Sequence, residues 1–269
     1  MTTTPMKRLV TAVAVVAGWA AITLIGGLAQ SGQGSLASLV SKQVTWATPA
    51  AALFLLVSAK LFGWRDLGLN PPRPRSSLRL FWLIAIYILF LGAIAALTKD
   101  FTTRMLLIIA INTAFVGFSE ELAFRGVLWG AARNAMSFWP GVIFVSAMFG
   151  GIHILNAAIT GQVGEAAVQA LNASLSGLAY LELRIRTRSL FPIMVAHWLW
   201  DLAVFLNASG SEASSSGPGA SLLIGAALVA PIALYGLWLI RNRKFHFVTD
   251  EIPEIIAGRT TASRAAEKV

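Results

Sequence analysis

Apolar residues in this chain fall into long blocks separated by short polar stretches that are often basic. Leu9 to Leu28 passes without a charge, and Val44 to Phe62 follows a Ser- and Gly-rich break, with Lys60 near its end where the stem can snorkel. Further blocks run from Leu80 to Thr98, Met105 to Arg133, Phe138 to Asn156, Ala166 to Leu181, Ser189 to Leu206 and Ala220 to Ile240. Pro140 and Pro192 sit near the starts of their blocks, in the first turn, where a helix tolerates proline. One membrane-crossing helix needs roughly 20 apolar residues. The pattern therefore predicts an all-α, polytopic transmembrane helical bundle of about eight spans with a polar site in its core. The first block exceeds the apolar region of about 7–15 residues found in a secretory signal peptide, so it is expected to be an uncleaved span. Residues 1–244 read as one transmembrane helical domain, with the motif region at 105–206, and residues 245–269 as a polar tail in which His246 is solvated.

Composition agrees. Hydrophobic residues make up 57% of the chain and charged residues 12%, against about a quarter charged in a soluble domain. The net charge of +9 is explained by basic cytoplasmic loops, and no soluble segment interleaves basic and aromatic residues, so nucleic acid is not an expected partner. The lipid bilayer is. Basic residues gather at the N-terminus, between spans two and three, near Arg133, at 184–188 and after Ile240. With eight spans all five places share one side. That predicts a multi-pass protein of a bacterial inner membrane with both termini cytoplasmic. Many tryptophans, Trp64, Trp82 and Trp139 among them, lie near span ends, as interfacial anchors do. There is no cysteine, which excludes disulfides, thiolate metal sites and cysteine nucleophiles.

Three blocks carry polar intrusions: Phe118-Ser119-Glu120-Glu121-Leu122-Ala123-Phe124-Arg125-Gly126, Phe149-Gly150-Gly151-Ile152-His153, and His197-Trp198-Leu199-Trp200-Asp201. Ionisable residues inside a span are expensive and usually functional. At about 1.5 Å per residue, Glu120 lies about 20 Å from the Arg133 end of its span and His153 about 24 Å from Ser137. His197 and Asp201 lie about 14 and 20 Å from Arg188. All four thus share a depth near the middle of a core about 30 Å thick. His197 and Asp201 are four apart and share a helix face. Glu121 and Arg125 are also four apart, acid first, the better order for an ion pair along a helix. Glu120 is turned about 100° away from Glu121 and is left without that partner, as a general acid or base requires.

Glu120-Glu121-x-x-x-Arg125, Phe149-x-x-x-His153 and His197-x-x-x-Asp201, in this order on separate spans, resemble the three motifs of the CPBP family. That family comprises the type II CAAX prenyl proteases and the bacteriocin-processing or immunity proteins also called Abi. The Leu67-Gly68-Leu69 loop and the run Arg186-Thr187-Arg188-Ser189-Leu190 are similar to it as well. The resemblance implies an intramembrane endopeptidase whose cavity opens toward the cytosol. Its substrate would be a peptide or protein, lipidated or not, cut near its C-terminus. Carried over, Glu120 would activate water with help from His153, while His197 and Asp201 would stabilise the oxyanion. Many members have asparagine where this chain has Asp201. An ionised aspartate cannot donate a hydrogen bond, so Asp201 would be protonated, orient His197 or hold a metal. Glu120, His153 and His197 also form a candidate zinc set, and a metal-independent mechanism stands beside it.

Two other classes fit parts of the pattern. Intramembrane Glu, His and Asp build proton relays in transporters, although such folds show paired broken spans and Gly150-Gly151 is the only hint of one. A non-catalytic immunity or scaffold protein would keep the fold and lose the dependence on Glu120.

Overall fold

The computed structural model describes residues 4–30, 35–209 and 218–241. The tail expected at 245–269, with His246, and the loop residue Glu212 lie outside the described residues. The described part is helical, and no strand occurs in it.

Helix α1 (Pro5–Gln30) buries Leu9, Ala12, Val15, Val16, Trp19 and Ala20. That spacing of three to four is a single packed stripe, which leaves the other faces for lipid. The Ser- and Gly-rich break before the second block holds a short helix, α2 (Leu36–Lys42), and the block itself forms α3 (Ala47–Leu61), bent 88° to it. Ser35 caps α2 by accepting from the Ser38 amide. The corner between the two helices is closed by Asn112, whose Oδ1 accepts from Thr45 N at 2.9 Å. Its Nδ2 donates to the carbonyls of Val40 and Gln43, both at 2.8 Å. A 3₁₀ segment, Arg75–Phe81, leads into α4 (Trp82–Thr98), a largely lipid-facing helix with Leu89 and Leu97 exposed.

Then comes one continuous rod: α5 (Thr103–Glu121), a π-helical segment (Leu122–Leu128) and α6 (Trp129–Ala135). Its 33 residues correspond to about 50 Å at helical rise, longer than the hydrocarbon core. Helix α7 (Phe138–Ile152) ends in a 3₁₀ turn, His153–Leu155, and the short α8 (Asn156–Thr160). The long α9 (Val163–Thr187), α10 (Phe191–Ala208) and α11 (Pro218–Ile240) complete the bundle.

Among the described residues, six helices are long and apolar enough to cross a membrane, or seven if the bent α2–α3 pair counts as one span. The expected span at Ala166–Leu181, now α9, is not among them. It carries Glu165, Glu182, Arg184 and Arg186, and it packs chiefly on α11 and α7. Its charges are met by protein: Glu182 pairs with Arg186 at 2.7 Å, and Arg186 donates to the Leu239 carbonyl.

The five basic segments meet at one end of the bundle. Arg8 at the start of α1 and Arg133 at the end of α6 each bond one oxygen of Asp66, the latter at 2.9 Å. Burial alone would raise the Asp66 carboxyl, but the bonds and charges of Arg8 and Arg133 outweigh it and hold the carboxyl below its ordinary value. The loop after Asp66 is stitched to the α9–α10 junction. Leu190 N donates to the Gly68 carbonyl at 2.8 Å, Arg73 N to Thr187 at 2.9 Å, and Asn70 Nδ2 to Arg188 at 3.0 Å. Gly68 has φ +84° and lies against the Arg184 guanidinium, so a side chain there would meet both a disfavoured backbone and a collision.

The glycine pair of α7 divides sharply. A Cβ on Gly150 would fall 2.7 Å from the Ser174 nitrogen, and closer still to the Ala170 carbonyl, whereas one on Gly151 would meet open space. Gly150 thus sets the approach of α7 to α9, as small residues do between membrane helices. We expect Gly150→Ala to cost about 1–3 kcal/mol through forced repacking. Gly151→Ala should be neutral or stabilise by up to about 1 kcal/mol. Thermal melting of the two purified variants would show the difference, and equal melting temperatures would contradict the packing described.

Candidate active site

The last turn of α5 presents two consecutive acids, and the helix after them changes its winding. Leu122 to Leu128 adopt π geometry, and every residue of that segment is buried. Such insertions recur at functional sites because they re-aim side chains without ending the helix. A second device brings α10 close. A Cβ on Gly117 would lie 2.9 Å from the Trp198 nitrogen, so the α5 and α10 backbones touch where only glycine fits. This close approach lets the acids of α5 reach the histidine of α10.

Glu121 is the hub. Its Oε1 accepts from Arg125 Nη1 at 3.0 Å and from His197 Nδ1 at 2.8 Å. The ion pair expected along the helix is therefore present, and its carboxylate also serves a histidine on another helix. Arg125 lies with its guanidinium carbon 3.9 Å from the Phe149 ring centroid, and Nη2 reaches the Gly177 carbonyl at 3.4 Å. The charge is thus held by a carboxylate, an aromatic face and a carbonyl. That combination suits a buried arginine.

His197 Nε2 faces the other two carboxylates, Asp201 Oδ2 at 3.5 Å and Glu120 Oε2 at 3.7 Å. Only the imidazolium form donates from both ring nitrogens. Glu120 Oε2 is buried and makes no hydrogen bond among the described residues. The chain thus brings Glu120, His197 and Asp201 together, and it divides the two acids: Glu121 is engaged by cations, Glu120 is not bonded.

His153 shares a cavity with Glu120, and the Phe149 ring lies against both His153 and His197. His153 Nδ1 is 2.8 Å from the Phe149 carbonyl. A carbonyl only accepts, so Nδ1 carries the proton, and Nε2 of the neutral ring is an acceptor. The cavity measures about 160 Å³, and Trp19, Thr48, Ser119, Asn156 and Ile159 also line it. That is close to the size of an engineered cavity of about 150 Å³ that takes up benzene.

Among the described residues no three His, Asp or Glu side chains are grouped closely enough to hold an ion, so Glu120, His153 and His197 as placed do not form a zinc site.

Tyr180 of α9 escaped the sequence reading. Its ring centroid is 5.8 Å from that of His197, and its buried hydroxyl makes no hydrogen bond among the described residues. A lone tyrosine between Ala179 and Leu181 gives no signal in one sequence. Gly117 and Gly177 were missed for the same reason, because their roles exist only once helices pack.

The cavity is lined from the second half of α1, the first turn of α3, the last turns of α5, the end of α7 and α8. On the Arg133 side of Glu120, Leu122, Leu128, Leu181, Leu183, Leu190 and Ile193 are fully buried.

Residues 102–203 match the family model described as Type II CAAX prenyl endopeptidase Rce1-like. No curated protein and no solved structure matches the chain. The matched segment begins at the N-cap of α5, Thr102, and ends within α10, and so contains all three polar intrusions.

Proposed function

From a chain that carries an Rce1-like domain, assigned with it to the CPBP family of proteases, we propose an intramembrane endopeptidase. It hydrolyses a peptide bond near the C-terminus of a membrane-associated peptide, with Glu120 as general base. The family match supports a CAAX-type intramembrane endopeptidase in general. The observation that carries the finer reading is the division of the two acids. Glu121 is bonded to Arg125 and His197, while the neighbouring Glu120 borders the cavity without a hydrogen bond.

In this mechanism a water in the cavity lies between Glu120 and Nε2 of His153. Glu120 takes a proton as the water oxygen attacks the scissile carbonyl. The carbonyl oxygen becomes an oxyanion, which the Nε2–H of His197 stabilises. Glu121 accepts from Nδ1 of the same ring and fixes its orientation, as buried acids do for catalytic histidines. Asp201, 3.5 Å from Nε2, acts on the ring by its charge and so positions the donor. Collapse of the intermediate breaks the C–N bond, and the proton on Glu120 passes to the leaving amine. The water balances the step: its OH stays on the acyl carbon and its second proton ends on the amine.

Purified protein in detergent, given a panel of fluorogenic peptides with and without a prenyl group, tests the proposal. Cleavage at a discrete bond near the peptide C-terminus, unaffected by chelator, is the expected result. Cleavage abolished by chelator and restored by zinc would overturn this account of the chemistry. A requirement for the prenyl group would identify the substrate class.

A further inference from the structure

The cavity beside Glu120 is lined from two parts of the chain. Its α5, α7 and α8 residues belong to the segment matched by the family model, whereas those of α1 and α3 lie outside it. Most of its polar side chains are engaged by protein. Thr23 Oγ1 donates to the Ala20 carbonyl at 2.9 Å, Ser119 Oγ to Val116 at 3.4 Å, and Asn156 Nδ2 to Gln169 at 2.8 Å. Two side chains from the α1–α3 part are not engaged. The Trp19 indole nitrogen and the Thr48 hydroxyl oxygen are both shielded from solvent and make no hydrogen bond among the described residues. Trp19 is only 3% exposed, and its ring packs edge-on against Phe124 with centroids 5.6 Å apart. Such packing fixes the ring, and its N–H with it.

Buried donors and acceptors are rarely left unpaired, so these two atoms describe what the cavity takes. An indole N–H only donates, while a threonine hydroxyl both donates and accepts. The group that suits them brings an acceptor for Trp19 and a donor for Thr48. A peptide amide is such a group, since its carbonyl oxygen accepts and its N–H donates. It also fits by size: an amide has fewer heavy atoms than benzene, which a cavity of about 150 Å³ admits. Glu120 and the unprotonated Nε2 of His153, in the same cavity, offer acceptors only and are left for the attacking water. We propose that Trp19 and Thr48 form a substrate-binding subsite for one backbone amide next to the scissile bond, with Trp19 Nε1 donating to its carbonyl and Thr48 Oγ1 accepting from its N–H. The amide held here is a neighbour of the scissile one, which has to reach His197, a residue that does not line this cavity. The subsite reads main chain and is therefore indifferent to most side chains, proline excepted, because an amide to proline has no N–H. This inference takes its substrate class from the peptidase reading, but the binding of an amide does not depend on catalysis.

The test separates binding from cleavage. Peptides of the panel above are labelled with fluorescein and titrated, by anisotropy, onto the Glu120→Ala protein and onto the same protein carrying Trp19→Phe or Thr48→Val. Phe keeps an aromatic ring against Phe124 without the N–H, and Val keeps the shape of Thr without the hydroxyl. Each substitution should weaken the tightest-binding peptide by about 5- to 30-fold, the loss of one buried hydrogen bond. The same peptide is then scanned with an alkene in place of each amide in turn. At one position both substitutions should change affinity by less than about two-fold, because the bond they remove is already gone. Affinity unchanged by either substitution overturns the proposal. So does a loss that is equal for every alkene peptide, the signature of altered shape, and so does a failure of every panel peptide to bind protein of parental melting temperature. If the binding pattern is as expected while the parent protein cleaves none of the peptides, the amide subsite stands and the peptidase reading falls. If Glu120-dependent cleavage persists at parental kcat/KM in Trp19→Phe and Thr48→Val, the peptidase reading stands and the subsite falls.

Discussion

Glu120→Ala should eliminate peptide cleavage while leaving the bundle intact. Loss of a general base costs about 10²- to 10⁴-fold in rate, so residual activity should sit near the limit of detection. The structure also explains why the fold should survive. Glu120 Oε2 makes no hydrogen bond among the described residues, and the side chain retains 16% exposure at the cavity. Its removal leaves no buried cation stranded, because Arg125 and His197 both keep Glu121. The measurement is a paired one: the cleavage rate of a fluorogenic peptide and the melting temperature of the same preparation. Activity near the parent level removes Glu120 from the chemistry and shifts weight to a non-catalytic role for the fold. Loss of both activity and melting temperature would mean that Glu120 holds the bundle together.

Arg125→Met has the opposite signature. Glu121 is fully buried, with a side-chain exposure of 0%, and truncating its cation leaves a carboxylate with one remaining partner. Breaking a buried pair by removing one member costs about 3–5 kcal/mol. We expect little folded protein from this variant and a strongly lowered melting temperature in what is recovered. Combining it with Glu121→Gln removes the stranded charge while keeping an acceptor for His197 Nδ1, so much of the stability should return. Cleavage should return less, because a neutral acceptor holds the ring without opposing the charge on it. A single variant as stable as its parent would show that the pair contributes little and that Phe149 and Gly177 alone set the position of residue 125.

Much of this was legible before any coordinates. Apolar blocks fixed the helices within a few residues, since burial in lipid writes itself into composition block by block. The pair of Glu121 with Arg125 and the shared face of His197 with Asp201 followed from spacing within a single helix. The depth estimate placed all four polar groups at one level; His197 Nε2 lies within 3.7 Å of both Glu120 and Asp201, and Glu120 and His153 line one cavity. What stayed hidden depended on contacts between helices. Nothing in the order of residues tells which carboxylate His197 Nδ1 finds, or that Gly117 permits the approach that delivers it. Helix α9 misled in another way. Its block at 166–181 reads as a span with basic flanks, whereas its charges and small polar residues leave it outside the helices apolar enough to cross, and its burial concentrates from Gly177 onward.

Asn112 has a consequence for the order in which the protein is made. The amide and carbonyls it holds, at Thr45, Val40 and Gln43, lie 67 to 72 residues earlier in the chain. At about 5–20 residues per second, their partner leaves the ribosome roughly 4–14 s after they do. Bare peptide groups in hydrocarbon cost several kcal/mol each, so until α5 enters those groups at the corner between α2 and α3 need water or lipid headgroups as partners. Because Thr48 on that corner is part of the cavity wall, the site acquires its outer rim only when the helix bearing Glu120 arrives. Until then the nascent chain holds neither half of the apparatus in working form.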